Sequence, residues 1–249
     1  MSKDEIRRKF LESSINRFGN LNNKIAETYG KHPFVVEGNK KVAECLSFYL
    51  EEKCNEFEKK EKIRLLDAGC AIGALSSLIA LEKMPLDLLE KTELFLLDPS
   101  QKVLSETIKG NFSLPVPSEQ NESLYWKKLE KLKTKLSSAH SIVSSVTEIP
   151  KGDNFFDLSL MNFVFHHIPD FDKQKAAVEL MRVSNGFIGV SDIFFDAWEE
   201  EHKARHQENG IPFAEEEIIP KEKLMAYFNG LKVIKEFEAE KYYSFCLEK

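Results

Sequence analysis

Cysteine is scarce in this sequence, and its placement does not fit the common cysteine-based sites. The four cysteines, Cys45, Cys54, Cys70 and Cys246, form no C-x-x-C pair, and none has a histidine nearby at zinc-binding spacing. We therefore expect reduced, mostly buried thiols and no metal site.

Long apolar runs are also missing. No stretch approaches the length of about 18 apolar residues that a membrane-spanning helix needs. The opening segment MSKDEIRRKF lacks the apolar core of a secretory signal peptide. The sequence therefore predicts a cytoplasmic protein without a membrane partner.

Positive charge is not in excess. The formal net charge is -6 and the sequence pI is about 5.7, whereas nucleic acids are bound by clustered Lys and Arg side chains. One basic cluster, KKLEKLKTK at 127–135, contains Leu129 and Leu132 at helical spacing. We interpret this cluster as one face of a solvated helix and expect no nucleic-acid partner.

The pattern that is present is that of an α/β fold. A chain of 249 residues with 42% hydrophobic content is long enough to bury one sizeable core as a single domain. Apolar runs alternate with segments of helical periodicity, which predicts parallel strands joined by crossover helices. The strand candidates are 63–67, 93–98, 140–146, 155–161 and 186–192. Two further strands in the C-terminal tail leave almost no room for a helix between them, so they must pair antiparallel.

The regions outside this alternation suggest a simple domain plan. Residues 1–58 are helical in pattern, with an apolar stripe in NKKVAECLSFYLEE. We predict that they form a helical N-terminal cap on a sheet domain at 59–249. An insertion at 111–139 separates the second strand from the third, and it is either a lid or interface, or a stabilising decoration.

The stretch LLDAGCAIGAL at 65–75 raises the question of function. It predicts a strand that turns through Gly69 and Gly73 into a helix starting at about Ala74. Ligands bind at this edge of doubly wound sheets, because glycine lets a ligand approach the backbone and the helix N-terminus offers free N–H groups. The alternative is that the glycines serve only tight packing of the helix on the strand.

An acidic residue ends the second predicted strand. Asp98 follows Asp67 by 31 residues, at the position where a carboxylate can accept hydrogen bonds from both ribose hydroxyls of a nucleotide. Pro99 and the next serine continue as a turn and helix-cap signature. A simple helix-capping role for Asp98 is the alternative.

Taken together, LLDAGCAIG, LFLLDPS, SSVTEIP, FFDLSLMNFVFHHIPD and the two C-terminal strands resemble the class I S-adenosylmethionine-dependent methyltransferases of the small-molecule type. The resemblance covers roughly residues 60–249. It implies a Rossmann-like, mostly parallel sheet of seven strands with helices on both faces and an antiparallel C-terminal pair. It also implies S-adenosylmethionine as cofactor, S-adenosylhomocysteine as product and a small organic molecule as methyl acceptor.

The resemblance further implies which residues bind the cofactor. Four of them would surround its methionine part, Asn162 would lie beside that part, Asp98 would hold the ribose, and two would flank the adenine. In chain order, and with Pro99 added as the neighbour of Asp98, the implied residues are Asp67, Gly69, Ala71, Gly73, Asp98, Pro99, Ser145, Val146 and Asn162. Ala71 stands where many members have glycine, and Ser145 stands where an aspartate is usual, so the adenine contact would depend on a single hydroxyl.

Methyl transfer defines what else the site needs. A sulfonium methyl is already activated, so the protein has to align the reacting atoms and remove a proton from the acceptor. His166, slightly favoured, and His167 follow the fourth strand and are candidates for the general base. Either histidine has the alternative of fixing the loop. Asp192 closes the fifth strand as a candidate to bind substrate or orient a base, with a cap or surface ion pair as its alternative.

Three other functions remain open from the sequence alone. The turn GCAIGA is similar to the GCSLGA turn of carboxy-S-adenosylmethionine synthases, although no arginine is evidently placed to hold a carboxylated cofactor. A binding or regulatory protein without turnover would keep the same cofactor residues. A nicotinamide dehydrogenase is a weaker alternative, because the turn lacks G-x-G-x-x-G.

Overall fold

The computed structural model describes residues 2–19, 33–110, 122–194 and 217–249, in which helices and strands alternate as expected. The helices are α1 (Lys3–Gly19), α2 (Pro33–Glu52), α3 (Cys54–Glu58), α4 (Leu75–Lys83), α5 (Leu86–Lys91), α6 (Gln101–Ile108), α7 (Glu122–Ser137), α8 (Asp170–Val183) and α9 (Lys221–Ala226). The strands are β1 (Ile63–Ala68), β2 (Thr92–Asp98), β3 (His140–Val143), β4 (Phe156–Asn162), β5 (Ser184–Ile193), β6 (Lys232–Glu238) and β7 (Tyr242–Glu248). A 3₁₀ turn, Phe165–His167, follows β4.

The strands form one sheet in the order β3-β2-β1-β4-β5-β7-β6. The pairs among β1 to β5 are parallel, whereas β7 runs antiparallel to both β5 and β6. This arrangement confirms the predicted seven-stranded, mostly parallel sheet with an antiparallel C-terminal pair. The reversal of strand order between β1 and β4 opens a crevice at the carboxyl ends of β1, β2 and β4, where ligands bind in such sheets.

The core has two layers, one on each face of the sheet. Leu65 packs into a cluster with α2, α4, α5 and α7, whereas the next residue, Leu66, packs into a cluster with α8 and α9. Successive side chains of a strand point to opposite faces, so β1 has to be apolar along its whole length to fill both layers. Helices on both faces are thereby confirmed.

Helix α2 belongs to the first of these layers. Its predicted stripe is buried and comprises Val42, Cys45, Leu46, Tyr49 and Leu50. The helix packs against α4, β5 and β7, and it comes so close to the sheet that a side chain on Gly189 would overlap Val42. The division of the chain at residue 58 stays a prediction.

The predicted third strand was too long. β3 ends at Val143 because the residues after it turn: the Ser144 hydroxyl donates to the Glu148 carbonyl at 2.6 Å, and the Glu148 N–H donates to the Ser145 carbonyl at 3.0 Å. The polar run SSVTE therefore forms a compact turn at the sheet edge.

The insertion at 111–139 is described from residue 122 onward, and 111–121 lie outside the described residues. In α7, Leu129, Leu132 and Leu136 are buried. Lys128 donates to the Glu82 carbonyl at 2.7 Å, and Lys135 donates to the Glu90 carbonyl at 2.8 Å. Cations at the C-terminal carbonyls of α4 and α5 are favourable there. We expected the basic cluster to be only a solvated face of the helix. Two of its lysines also hold α7 against α4 and α5.

The thiols follow the expectation. All four cysteines are free, with Cys54 exposed and the other three buried. In the part of the chain that the structure describes, no helix is long and apolar enough to cross a membrane.

Candidate active site

A cavity of about 330 Å³ lies at the carboxyl ends of β1, β2 and β4, a volume typical of small-molecule sites. It brings together residues that are far apart in the sequence. The predicted site residues that line it are Gly69, Ala71, Asp98, Pro99, Ser145, Val146, Asn162 and His167. Residues that the sequence predicted for one site therefore line one cavity. Contact between these residues and a cofactor stays a prediction.

The glycine turn serves both packing and the cavity. Gly69 has a φ of +75°, and its N–H donates to the Leu97 carbonyl of β2 at 2.8 Å. A Cβ at this position would lie 2.6 Å from Cγ2 of Val164. Glycine is favoured here, because the left-handed backbone is strained for other residues and an added side chain would overlap Val164. Ala71 adopts a φ of +49° without that advantage.

Two predicted cofactor residues lie behind the turn and do not line the cavity. Asp67 is buried, and its carboxylate accepts from the Ser77 N–H at 3.1 Å. It thereby caps α4, whose N-cap residue Ala74 offers no side-chain bond. The Gly73 N–H donates to the Thr107 hydroxyl at 3.0 Å. Both residues hold the turn in place.

The sequence left open whether Asp98 contacts a cofactor or caps a helix. In the structure, Ser100 provides the helix cap and Asp98 lines the cavity. Ser100 caps α6, since its hydroxyl accepts from the Val103 N–H at 3.3 Å. Asp98 accepts from the Ser100 N–H at 2.8 Å and lines the cavity at 8% exposure. Burial raises the pKa of Asp98 to about 6 and likewise that of Asp67 to about 6. With a pKa of about 6, the Asp98 carboxyl is still mostly ionised at pH 7.

The turn after β3 forms another wall. Ser145 is exposed, and its hydroxyl lies 2.8 Å from that of Thr147. Val146 is buried and presents an apolar surface to the cavity. This wall therefore offers a flat apolar contact with two hydroxyls at its rim.

Asn162 ends β4 and meets a partner that the sequence did not indicate. Its Nδ2 donates to Oδ1 of Asn39 on α2 at 2.8 Å, and both side chains line the cavity and are buried. The two residues are 123 positions apart, so only the docking of α2 brings them together.

The two histidines have different surroundings. His166 does not line the cavity; its Nδ1 lies 2.5 Å from Oδ1 of Asp192, in a pair that is almost completely buried. His167 lines the cavity, with its ring 3.9 Å from that of His166. The position of the rings favours His167 over His166 as the residue that faces a ligand, and the assignment of either histidine as general base stays a prediction. The surface ion pair considered for Asp192 was wrong, because its carboxylate is buried.

An ion pair covers one side of the cavity. Arg7 of α1 binds Asp172 of α8 through Nε at 2.6 Å and Nη2 at 2.8 Å, and hydrogen bonding to Asp172 raises the pKa of Arg7. Phe10 of α1 is buried against the same cavity. Sequence reasoning missed these residues because an ion pair 165 positions apart leaves no local pattern.

Metal-binding clusters are absent from the described residues. Among the side chains that the structure describes, no three or more of His, Cys, Asp or Glu come together as a group that could hold a metal ion. The ionisable side chains that line the cavity there are Arg7, Asp98, Asp172, His167 and Cys70.

Comparison with known proteins gives a family and a shared fold. Residues 66–188 match the model of a family described as a methyltransferase domain. No curated protein matches the chain. Among solved structures, the chain is similar to the 1,6-didemethyltoxoflavin-N1-methyltransferase of Burkholderia thailandensis, with 11% identity, a TM-score of 0.60, and 100% of this chain and 91% of that chain covered.

Two further structures agree in nearly their whole length. The N-methyltransferase NodS of Bradyrhizobium japonicum, solved with S-adenosylhomocysteine, has 12% identity and a TM-score of 0.58, with 97% of this chain and 98% of that chain covered. An S-adenosylmethionine-dependent methyltransferase of Thermotoga maritima has 13% identity and a TM-score of 0.55, with 96% and 99% covered. At such identities the likeness is one of fold.

Proposed function

We propose that this chain, which belongs to the class I S-adenosylmethionine-dependent methyltransferase family, transfers a methyl group from S-adenosylmethionine to a small organic acceptor. The observation that carries the proposal is the convergence of Gly69, Asp98 and Asn162, from the ends of three strands, on one cavity. Each is a residue that the sequence predicted for cofactor binding.

The residues present fit this cofactor. The anionic carboxylate of Asp98 suits the two ribose hydroxyls, which are donors. Gly69 and Asn162 both line the cavity, where the backbone of Gly69 and the amide of Asn162 suit the methionine part. The Val146 surface suits the flat, weakly polar adenine. Cofactor contact by Asp67 and Gly73, in contrast, would have to be indirect, through the turn that they hold.

The chemistry needs little beyond alignment and proton removal. When bound, the cofactor supplies an electrophilic methyl group on a sulfonium ion. Phe10 and Leu11 of α1 line the cavity and give that side an apolar wall. His167 is the base that we assign to the acceptor proton, because an imidazole has an unperturbed pKa near neutrality. His166 and Asp192 act behind it, by holding the loop.

A small and partly apolar acceptor suits the lining. Many of the side chains that line the cavity are apolar, among them Val35, Phe163 and Ile168. The neighbour from Burkholderia thailandensis is named for a small heterocyclic acceptor, which supports the same size class here. A net charge of -6 opposes a polyanionic substrate.

The carboxy-S-adenosylmethionine synthase alternative needs a cation for the added carboxylate. Arg7 lines the cavity, but its guanidinium is already bound by Asp172 and by Asp4. In the described lining, Arg7 stands against two carboxylates, Asp98 and Asp172. This excess of negative charge disfavours binding of a further anion and so favours methyl transfer. A binding protein without turnover is separated from an enzyme by the second experiment below.

The first test is a calorimetric titration of the purified protein with S-adenosylmethionine, S-adenosylhomocysteine and NAD. We expect the two sulfur nucleotides to bind and NAD not to bind. The Asp98→Asn variant provides the matched control, because it keeps the side-chain shape and removes the charge. A folded, ligand-free sample that binds neither sulfur nucleotide would contradict the proposal.

The second test separates an enzyme from a binding protein. A panel of small amines, phenols and heterocycles is incubated with S-adenosylmethionine, and formation of S-adenosylhomocysteine and of a methylated product is followed by mass spectrometry. Stoichiometric appearance of both is the expected result. In a parallel incubation with a carboxylic acid added as carboxyl donor, a carboxylated cofactor without S-adenosylhomocysteine would instead support the synthase alternative.

A further inference from the structure

Asn162 holds a buried acceptor atom that the folded chain does not satisfy. The residue is 7% exposed, and among the described residues no donor reaches its Oδ1. A buried carbonyl without a hydrogen bond is unfavourable, and native structures contain few of them. Because Asn162 also lines the cavity, this atom is suited to accept a hydrogen bond from a ligand.

The orientation of the Asn162 amide follows from Asn39. The Val35 carbonyl can only accept, so Asn39 has to turn its Nδ2 toward it, and the two atoms lie 2.8 Å apart. Oδ1 of Asn39 then faces Asn162, which has to present Nδ2, at 2.8 Å. The Asn162 oxygen is left for the ligand. One backbone carbonyl thereby fixes the polarity of both amides.

The register of α2 keeps Asn39 at this position. The neighbouring Gly38 packs on the ring of Phe163, where a Cβ would lie 2.7 Å from Cζ. The Ser191 hydroxyl donates to the Gly38 carbonyl at 3.3 Å. Gly38 precedes Asn39 and Phe163 follows Asn162. The contact between Gly38 and Phe163 therefore positions both Asn39 and Asn162.

We propose that Asn39 is a positioning residue, which locks Asn162 so that its Oδ1 accepts a hydrogen bond from an ammonium or amine N–H of the ligand. This inference rests on the proposed function, which supplies two sources of that chemistry: the amino group of the cofactor's methionine part, and an amine acceptor. An ammonium group carries donors alone and matches an acceptor site, whereas a carboxylate is repelled by it. The carboxylate of Asp98, which also lines the cavity, favours a cation further.

The first experiment measures whether binding depends on the amino group. S-adenosylhomocysteine and its analogue with hydrogen in place of the α-amino group are titrated into the wild type, Asn162→Leu, Asn39→Leu and Asn39→Asp. We expect the wild type to prefer the amine by roughly tenfold, as for a hydrogen bond to a charged group. Asn162→Leu should lose the preference, and Asn39→Leu should lose most of it.

The Asn39→Asp variant separates an effect on the orientation of the Asn162 amide from a general loss of stability. Asn39→Asp keeps an acceptor opposite Nδ2 of Asn162, so it should retain the preference even where its stability falls beside the Val35 carbonyl. Asn39→Ala and Asn162→Ala replace the leucine variants if those do not fold. An Asn39→Leu or Asn39→Ala protein with the full wild-type preference would overturn the role of Asn39.

The second experiment tests the other source. Protein saturated with S-adenosylhomocysteine is titrated with benzylamine and with benzyl alcohol, in the wild type and in Asn162→Leu. The first experiment has a negative outcome if it shows no preference for the amino group of the cofactor analogue. In that case, a preference for benzylamine over benzyl alcohol that disappears in Asn162→Leu assigns the site to the methyl acceptor. No Asn162-dependent preference in either experiment overturns the inference. A wild type that does not bind S-adenosylhomocysteine contradicts the proposed function instead.

Discussion

The Nδ1 atom of His166 lies 2.5 Å from Oδ1 of Asp192, and both side chains are buried. The other oxygen of Asp192 accepts from the backbone N–H of His166 at 3.1 Å, so one carboxylate holds both the ring and the main chain. The ring of His167 packs on that of His166. The pair therefore fixes the loop that carries His167 into the cavity.

Replacing each histidine by alanine should separate these two roles. His166→Ala leaves the Asp192 carboxylate buried without its ring partner, so the free energy of unfolding should fall by about 1.5–3 kcal/mol, as for a lost hydrogen bond to a charged group. His167→Ala should change it much less and should lower kcat by about 10²-fold or more, as for loss of a general base. Urea unfolding and steady-state kinetics measure the two effects. An unchanged kcat in His167→Ala would exclude it as the base.

The fold was predictable because its signals are local. Leu65 and Leu66 belong to different layers of the core, and a strand buried on both faces appears in the sequence as a continuous apolar run. The carboxyl ends of parallel strands share one edge of the sheet, so the sequence alone predicts that Gly69, Asp98 and Asn162 lie together.

The remaining part of the site depends on contacts between distant segments. Arg7 reaches Asp172, and Asn39 reaches Asn162, only after α1 and α2 dock on the sheet. No periodicity or motif encodes such pairs. For the same reason the sequence could not distinguish His166 from His167, because the partner that turns one ring inward is 26 residues away.

The raised pKa of Asp98, about 6, predicts that cofactor binding depends on pH. Ribose hydroxyls donate to the ionised carboxylate, so binding favours the deprotonated form, and affinity should fall as the pH falls through 6. Between pH 7 and pH 5 we expect a loss of roughly tenfold, from the shrinking ionised fraction. Calorimetry across this range measures it. Asp98→Asn should bind weakly without the pH dependence, whereas Asp67→Asn, outside the cavity, should keep it.

The same two carboxyls predict the opposite trend for the stability of the protein without ligand. Burial raises the pKa of Asp67 and of Asp98 from 3.8 to about 6, so between these values the folded state binds more protons than the unfolded state. Their contribution to the free energy of unfolding therefore rises as the pH falls from about 6 to about 4. Urea unfolding of Asp67→Asn should show a smaller rise than the wild type. An equal rise would remove Asp67 as a source.

Two alanines in left-handed conformation offer a matched pair of substitutions. Ala71 has a φ of +49° and Ala74 a φ of +46°, a conformation that costs an alanine about 1–2 kcal/mol. Ala71→Gly should raise the free energy of unfolding by about 0.5–1 kcal/mol, after the entropy cost of glycine. Ala74 is fully buried, so Ala74→Gly also loses a packed methyl worth about 0.8 kcal/mol and should be near neutral. If denaturant unfolding ranked Ala74→Gly as more stable than Ala71→Gly, the buried methyl of Ala74 would not contribute as expected.

The steric limit at Gly69 predicts a partial rescue. Gly69→Ala should destabilise the fold and weaken cofactor binding, because the new Cβ would lie 2.6 Å from Cγ2 and 2.9 Å from Cγ1 of Val164. In the double variant with Val164→Ala these contacts disappear, while the strain of a φ of +75° remains. We therefore expect the pair to be more stable than the sum of the single changes indicates. Strict additivity in urea unfolding would show that the clash is relieved elsewhere.

The ion pair between Arg7 and Asp172 predicts that α1 depends on guanidinium geometry. Arg7 binds both oxygens of Asp172, at 2.6 and 2.8 Å, and a lysine cannot form two parallel bonds of this kind. Arg7→Lys should therefore increase hydrogen exchange in α1 and speed the dissociation of S-adenosylhomocysteine, because Arg7 and Phe10 line the cavity. The control is Arg8→Lys, since Arg8 is more exposed and its ion-pair partner Glu12 lies on the same helix. Equal exchange in the two variants would mean that the other contacts of α1 suffice to hold it over the cavity.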